Sequence, residues 1–369
     1  MLDATPLLRL YARRRLRRLA ALRPVEAQER QFAELITRAR ETRFGRAHGF
    51  SRIRNVEDFQ RRVPLRRYEQ FWEEYWKPGF PTLTDITWPG TIPYFAVTSG
   101  TTAGGTTDIP CTHEMNAFNT TAAGDLLAHH LANCPRSKLL AGRNVMLGGG
   151  TALSELAPGI HGGDPSAIAA QVMPWWARRR SVPPPEIASM GDRAETIARL
   201  APLSLEADIR SVSGTPSRLL AFFDALAELR PEAERRLCAL YPNLELVVHG
   251  GAGFAPHRGR FRDWLADSRA ETREVYATGG GILAVADRGD GEGLRLLLDT
   301  GLFYEFVPVE ELDSPNPTRH WLDTVVPNID YAIVVSTCAG LWAYAVGDTV
   351  RFVGMRPPRI LVTPPPSSR

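Results

Sequence analysis

Apolar positions recur at helical spacing over residues 25 to 43, where Phe32, Leu35, Ile36 and Ala39 share one face. A short loop through Gly45 and Gly49 leads to a polar helix around Val56 to Arg61, and the Trp-rich stretch Phe71 to Trp76 predicts another helix, ended by Pro78-Gly79. Tyr94 to Val97 is a short apolar run of strand type. From Thr98 to Thr107 nearly every residue is glycine, serine or threonine, and His113 to Leu131 then repeats alanine and leucine at helical spacing. That order predicts a strand–loop–helix unit with its loop at the carboxyl end of the strand, where open α/β sheets bind nucleotides. Farther on, Pro216 occupies a first-turn position of a helix through Leu219, Leu220, Phe222, Phe223 and Leu226. Leu244 to Val248, Val275-Tyr276, Ile282 to Ala286, Gly301 to Pro308, Tyr331 to Ser336 and Leu341 to Val353 read as buried or closing strands.

This alternation predicts an α/β fold with two layered subdomains around mixed sheets and a smaller β-rich portion near 275 to 353. The boundaries it suggests are a basic helical segment 1–46, a large domain 47–355 and a disordered Pro/Ser tail 356–369. The stiff run Ser181 to Pro185 places a subdomain break near 181–187. At 369 residues and 44% hydrophobic content the chain can bury a substantial core. No apolar stretch has the length of a membrane span, and the first residues lack the order of a signal peptide, so a soluble cytoplasmic protein is expected. Cys111, Cys134, Cys238 and Cys338 show no CxxC spacing, which points to free thiols rather than a disulfide or Cys/His metal framework. Residues 1 to 46 carry twelve arginines against five acids although the whole chain has a net charge of only +3. Arg13 to Arg18, flanked by leucines, forms a basic amphipathic pattern that an anionic membrane surface could attract. A solvated helix packed by its leucines is the preferred reading, and the absence of further basic, aromatic-interleaved stretches argues against nucleic acid.

The chemistry concentrates in the Gly/Ser/Thr run. Small residues allow backbone N–H groups and hydroxyls to approach phosphate oxygens closely, which makes ATP the first ligand to consider, although a solvated turn shares the composition. A P-loop is excluded, because that motif needs a lysine before its final Ser/Thr and the chain has only Lys77 and Lys138. Gly279-Gly280-Gly281 lacks the spacing of a dinucleotide fingerprint.

Several segments in order resemble the Gretchen Hagen (auxin-responsive) acyl-acid amido synthetase family of the adenylate-forming superfamily. They begin with Thr42-Arg43-Phe44-Gly45, His48-Gly49-Phe50 and Val63-Pro64, then Thr98-Ser99-Gly100-Thr101-Thr102 with Ile109-Pro110. Ser213-Gly214-Thr215-Pro216, His249-Gly250-Gly251 and Phe303-Tyr304-Glu305-Phe306-Val307-Pro308 follow, and Gly340-Leu341-Trp342 with Gly347-Asp348 closes the set. The resemblance implies the amino-terminal domain of an adenylate-forming enzyme, ATP with magnesium, a small carboxylic acid, and an amine or amino acid as acyl acceptor. It further implies that Ser99, Thr101 and Thr102 line the phosphates, that Gly250 and Gly251 admit the adenine, that Tyr276 stacks on it and that Asp348 accepts from the ribose hydroxyls.

Three departures from the family pattern change the expectation. Thr107 stands where the phosphate loop usually carries lysine, and Tyr276-Ala277-Thr278-Gly279-Gly280 stands where Tyr-x-x-Ser-Glu is usual, so that Gly280 replaces a magnesium-holding carboxylate. Asp348 lies so near the end of the sequence that the family's carboxyl-terminal lid domain is expected to be missing. The reading is therefore a truncated ligase whose adenylation is impaired or needs a protein partner to supply the lid. The alternative is a non-catalytic module that binds nucleotide or carboxylate. No catalytic residue is assigned. Met173, Trp175 and Trp176 are candidates for the acyl pocket, with a core role open to each.

Overall fold

The computed structural model describes residues 2–99, 106–148, 152–183, 187, 193–251 and 253–363. In chain order the strands are β1 (Tyr94–Ser99), β2 (Thr106–Cys111), β3 (Arg143–Leu147), β4 (Ser154–Ala157), β5 (Ile160–Gly163), β6 (Ser181–Val182), β7 (Ile209–Gly214) and β8 (Leu246–Gly250). They continue as β9 (Glu271–Thr278), β10 (Gly281–Val285), β11 (Leu294–Leu296), β12 (Leu302–Pro308), β13 (Asp330–Thr337), β14 (Tyr344–Met355) and β15 (Pro358–Thr363). Among the described residues they form a small sheet ordered β2-β1-β5-β4 and a large one ordered β12-β13-β14-β15-β11-β10-β9-β8-β7-β3-β6. From β6 to β9 neighbours run parallel, and from β9 to β12 they are antiparallel. The expected α/β architecture with mixed sheets is therefore present, its β-rich portion being the antiparallel half of one continuous sheet.

Two apolar clusters hold the layers. In the parallel half, Val212 and Val247 pack with Leu219, Leu220, Phe222, Phe223 and Leu226 of the Pro216–Leu229 helix, all fully or nearly fully buried. The i, i+3, i+4, i+7 spacing of those side chains is what lays the helix on the sheet. A second, larger cluster is built around Trp342, whose ring meets Phe50 edge-on at 4.7 Å and whose Nε1–H donates to the Thr87 carbonyl at 2.9 Å. Phe32, Leu35, Ile36, Ala39 and Phe44 belong to the same cluster as Phe50, Phe59 and Trp342. No structural break therefore separates residues 46 and 47. The helices Thr5–Ala20 and Pro24–Ala39 are part of the body of the fold.

The first of these helices is fixed by an ion-pair cluster. Arg15, one of the arginines in the basic run, points inward and donates to both oxygens of Asp125 at 2.6 and 2.7 Å and to both oxygens of Asp299 at 2.6 and 2.8 Å. Its face toward the His113–Asn133 helix adds Ala12 against Ala128 and Leu131.

Two expectations are corrected. The Gly/Ser/Thr run joins β1 not to a helix but to the antiparallel β2, in the register Thr98↔Thr107 to Tyr94↔Cys111. The β-branched Thr106-Thr107 and Ile109 favour extended backbone, so the chain folds back before the His113–Asn133 helix begins at its Thr112 cap. The tail expected from 356 contains β15, because Ile360 is buried between β14 and β11, opposite Phe352 and Leu294. Residues 364–369 lie outside the described part, as do portions of the proposed subdomain break at 181–187.

Candidate functional site

The parallel strands β7 and β8 end side by side in glycine, with Gly214 opposite His249. Gly250 is required by close strand packing, since a Cβ there would lie 2.4 Å from the Val275 carbonyl oxygen. Gly251 turns the chain with φ +76°, and a Cβ on it would sit 3.6 Å from Thr215 Cγ2. Packing and turn geometry thus account for both glycines, beyond the adenine contact expected of them. Beside them the His249 ring stacks on Phe254 at 3.8 Å, its Nδ1 has no hydrogen-bond partner, and burial pushes its pKa down to about 4.

Tyr276, in register just beyond the Gly250–Val275 pair, is the next element of the site. Its side chain is buried and its hydroxyl donates to Asp348 Oδ2 at 2.8 Å. Burial first, and the adjacent carboxylate second, hold that hydroxyl well above its ordinary pKa, so it is a fixed donor. Asp348 is carried by an irregular stretch of β14. Register with β13 shifts between Ala332 and Val334, and Gly347 takes φ +98°. This distortion turns Asp348 toward β9, from which three strands separate β14 in the sheet order. One carboxylate oxygen is engaged by Tyr276, and among the described residues no donor reaches the other.

The turn after β9 is tightly packed. A Cβ on Gly279 would meet Ile109 Cγ1 at 2.8 Å, one on Gly280 would meet Leu341 Cδ1 at 2.9 Å, and one on Gly281 would meet Met115 Sδ at 2.7 Å. The amide of Gly280 donates to Thr278 Oγ1 at 3.1 Å. The turn offers no carboxylate, and apolar atoms occupy the directions a side chain would take, so the residues around position 280 do not fit a magnesium ion. Thr107 likewise has a structural role, because its hydroxyl pairs with that of Thr98 at 2.7 Å across the hairpin. Of the expected phosphate-loop residues, Ser99 ends β1, and Thr101 and Thr102 fall outside the described residues.

Other candidates go elsewhere. Trp175 is 70% exposed and Trp176 40% exposed, and Met173 contacts Ser181, so these residues do not line an enclosed acyl pocket. Pro174 starts a short helix that turns the tryptophans outward. A groove of about 1050 Å³ opens between Gln60, Arg66, Glu69, Pro315, Arg319 and Ala345, and none of the predicted site residues lines it. The fold also brings His130, Cys134 and Glu271 within 4.8 Å of one another, which no sequence spacing announced. His130 Nδ1 meets Glu271 at 2.6 Å, while the Arg273 Nε–H and Nη2–H donate to the two Glu271 oxygens at 2.9 Å each, so the cluster already balances its charge. Two half-buried groups lie beside the hairpin, neither of them among the candidate site residues. The Tyr68 hydroxyl accepts from the Asp108 amide at 3.0 Å, and burial raises the Asp108 carboxyl pKa. Only the alternation of Thr107, Asp108 and Ile109 hinted at a partly shielded acid there.

Comparison with known proteins bears on this geometry. Residues 15–148 match the GH3 family N-terminal domain and residues 295–363 match the GH3 family central domain. No curated protein gives a match. Among solved structures the chain is similar to a GH3.15 acyl acid amido synthetase in complex with 2,4-DB, at TM-score 0.77 and 17% identity over 93% of this chain and 68% of that one. A further GH3.15 acyl acid amido synthetase structure aligns at TM-score 0.75 and 15% identity, over 95% of this chain and 69% of that one. An open conformation of a 2-hydroxyisobutyryl-CoA ligase, in complex with 2-HIB-AMP and CoA, aligns at TM-score 0.59 and 15% identity over 91% and 72%.

Proposed function

The chain belongs to the GH3 family, and from that premise we propose that it activates a small carboxylic acid with ATP and passes the acyl group to an amine. The observation that carries this reading is the pairing of Tyr276, near the carboxyl end of the parallel strand β9, with Asp348, one of whose oxygens meets no donor among the described residues. A ribose diol supplies the O–H donors that such an oxygen accepts, and open α/β sheets bind nucleotides at this edge. In the first step an oxygen of the acid attacks the α-phosphorus, forming a C–O–P link while pyrophosphate leaves. In the second, the amine takes the acyl carbon and AMP leaves. Tyr276 orients Asp348 and Asp348 holds the ribose, so that the acid and phosphate are presented together. Ser99, Thr101 and Thr102 are assigned to the phosphate oxygens, where preorganised donors meet developing charge. No step is routed through magnesium, since Gly280 and its packed neighbours do not fit it.

Acid-dependent exchange of labelled pyrophosphate into ATP tests the proposal. Exchange with at least one member of a broad panel of aliphatic and aromatic acids supports it, and no exchange with any of them refutes it.

A second reading rests on the Gly280–Leu341 contact and the Thr98–Thr107 pair. At positions 107 and 280 the usual lysine and carboxylate are replaced, by a threonine engaged in the hairpin and by a glycine whose side-chain direction Leu341 fills. The chain would then bind nucleotide or carboxylate without turnover. Saturable ATP binding together with absent exchange identifies that case.

A further inference from the structure

The arginines of the Thr5–Ala20 helix separate into two sets. Arg15 is buried on its two aspartates, whereas Arg13, Arg14, Arg17 and Arg18 are exposed. Arg18 lies 3.4 Å from Asp299 while 71% exposed, and Arg13, Arg14 and Arg17 have no acceptor among the described residues. At about 100° per residue, Leu7, Tyr11, Arg14 and Arg18 fall on one stripe, with Leu10 and Arg17 beside it. Leu7 is 73% exposed, Leu10 55%, and Leu2, just before the helix, 91%. One outward face is therefore apolar in its first half and cationic in its second. The opposite face is fixed by Arg15 and by Ala12 on Ala128 and Leu131, so the helix cannot turn to bury those leucines. Arg180 donates to the carbonyls of Leu2 at 2.8 Å and Trp176 at 3.3 Å, which brings the exposed Trp175-Trp176 and the exposed Arg178 and Arg179 to the same end of the helix.

We propose that this face docks on an anionic phospholipid bilayer, with the arginines at the headgroups and the leucines and tryptophans in the interfacial layer. Nucleic acid would use the charge but leave the leucines exposed to water. A bilayer surface accepts both groups, and tryptophan favours that depth.

The test is sedimentation of the full chain with vesicles of phosphatidylserine and phosphatidylcholine, and with phosphatidylcholine alone. Binding to the anionic vesicles only is expected, released by salt. The triple variant Arg13→Glu, Arg14→Glu, Arg17→Glu should bind roughly tenfold or more weakly, and Leu7→Ser with Leu10→Ser should weaken binding without removing its salt dependence. All of these side chains are exposed, and an unchanged thermal melt verifies that the variants fold. Failure of the unaltered chain to sediment with anionic vesicles overturns the proposal, as does parent-like binding by the arginine variant. Tighter binding to duplex DNA, with the leucine variant unaffected, overturns it in favour of a nucleic-acid face.

Discussion

Replacing Arg15 with methionine keeps most of the aliphatic volume and removes the charge. The loss would leave Asp125, fully buried, without its two short hydrogen bonds and leave Asp299 the longer contact to Arg18 as its ion pair among the described residues. Breaking a buried pair from one side costs about 3–5 kcal/mol, because the remaining charge stays desolvated. If the cost falls on detachment of the helix, opening becomes roughly 10² to 10⁴ times more frequent, at a factor of ten per ~1.4 kcal/mol. Hydrogen exchange of the Thr5–Ala20 amides reads this directly, without assuming that a chain of this size unfolds in one step. The effect should shrink on acidification, because in the variant Asp125 can relieve its burial by taking up a proton. Arg15→Met with Asp125→Leu should recover most of the protection, since an apolar pair of similar volume often replaces a buried ion pair without loss. Arg14→Met, at an exposed position of the same helix, serves as control and should be nearly silent. Exchange in Arg15→Met within tenfold of the parent would show that the Arg15 ion pairs do not hold the helix in place.

Three further outcomes follow from the site and core. Gly280→Glu places a Cβ 2.9 Å from Leu341 Cδ1 in a buried turn, so it should cost about 1–3 kcal/mol by overpacking and should not create magnesium-dependent ATP binding, as checked by thermal melting and titration calorimetry. His129 and His249 are both pushed down to about 4 by burial. The unfolded chain protonates them near 6.5 while the folded chain resists, so stability must fall as pH drops from 6.5 toward 4, by about 2 kcal/mol per histidine at pH 5. Urea midpoints at pH 7 and 5 measure that fall, His249→Gln should reduce it, and a midpoint that rises on acidification contradicts it. Tyr276→Phe removes the donor at 2.8 Å from Asp348 and should weaken ATP binding by about 1.5–3 kcal/mol, the value of a hydrogen bond to a charged group, as a calorimetric shift in Kd.

Much of the fold is legible in the chain because its strongest periodic segments are also its most buried. The Pro216–Leu229 helix and the strands β8, β12 and β13 lie close to where spacing places them, since one apolar face or one apolar run decides each. The β1–β2 hairpin was hidden because a Gly/Ser/Thr run carries no period from which a return strand can be read. β15 was hidden by the prolines around it, although Ile360 has a core to enter. In the site, Asp348 and Tyr276 were each visible from their motifs, but their hydrogen bond spans 72 positions and depends on the irregular β14. The packing demand on Gly250 and the inward turn of Arg15 depend on which neighbour lies opposite, and no spacing encodes that.

Titration of ATP into the purified chain, beside Asp348→Ala, decides whether Asp348 holds a nucleotide. Saturable binding by the parent and its loss in the variant are expected, with both proteins melting alike. No binding by the parent, or equal binding by the variant, would contradict a nucleotide site built on Asp348.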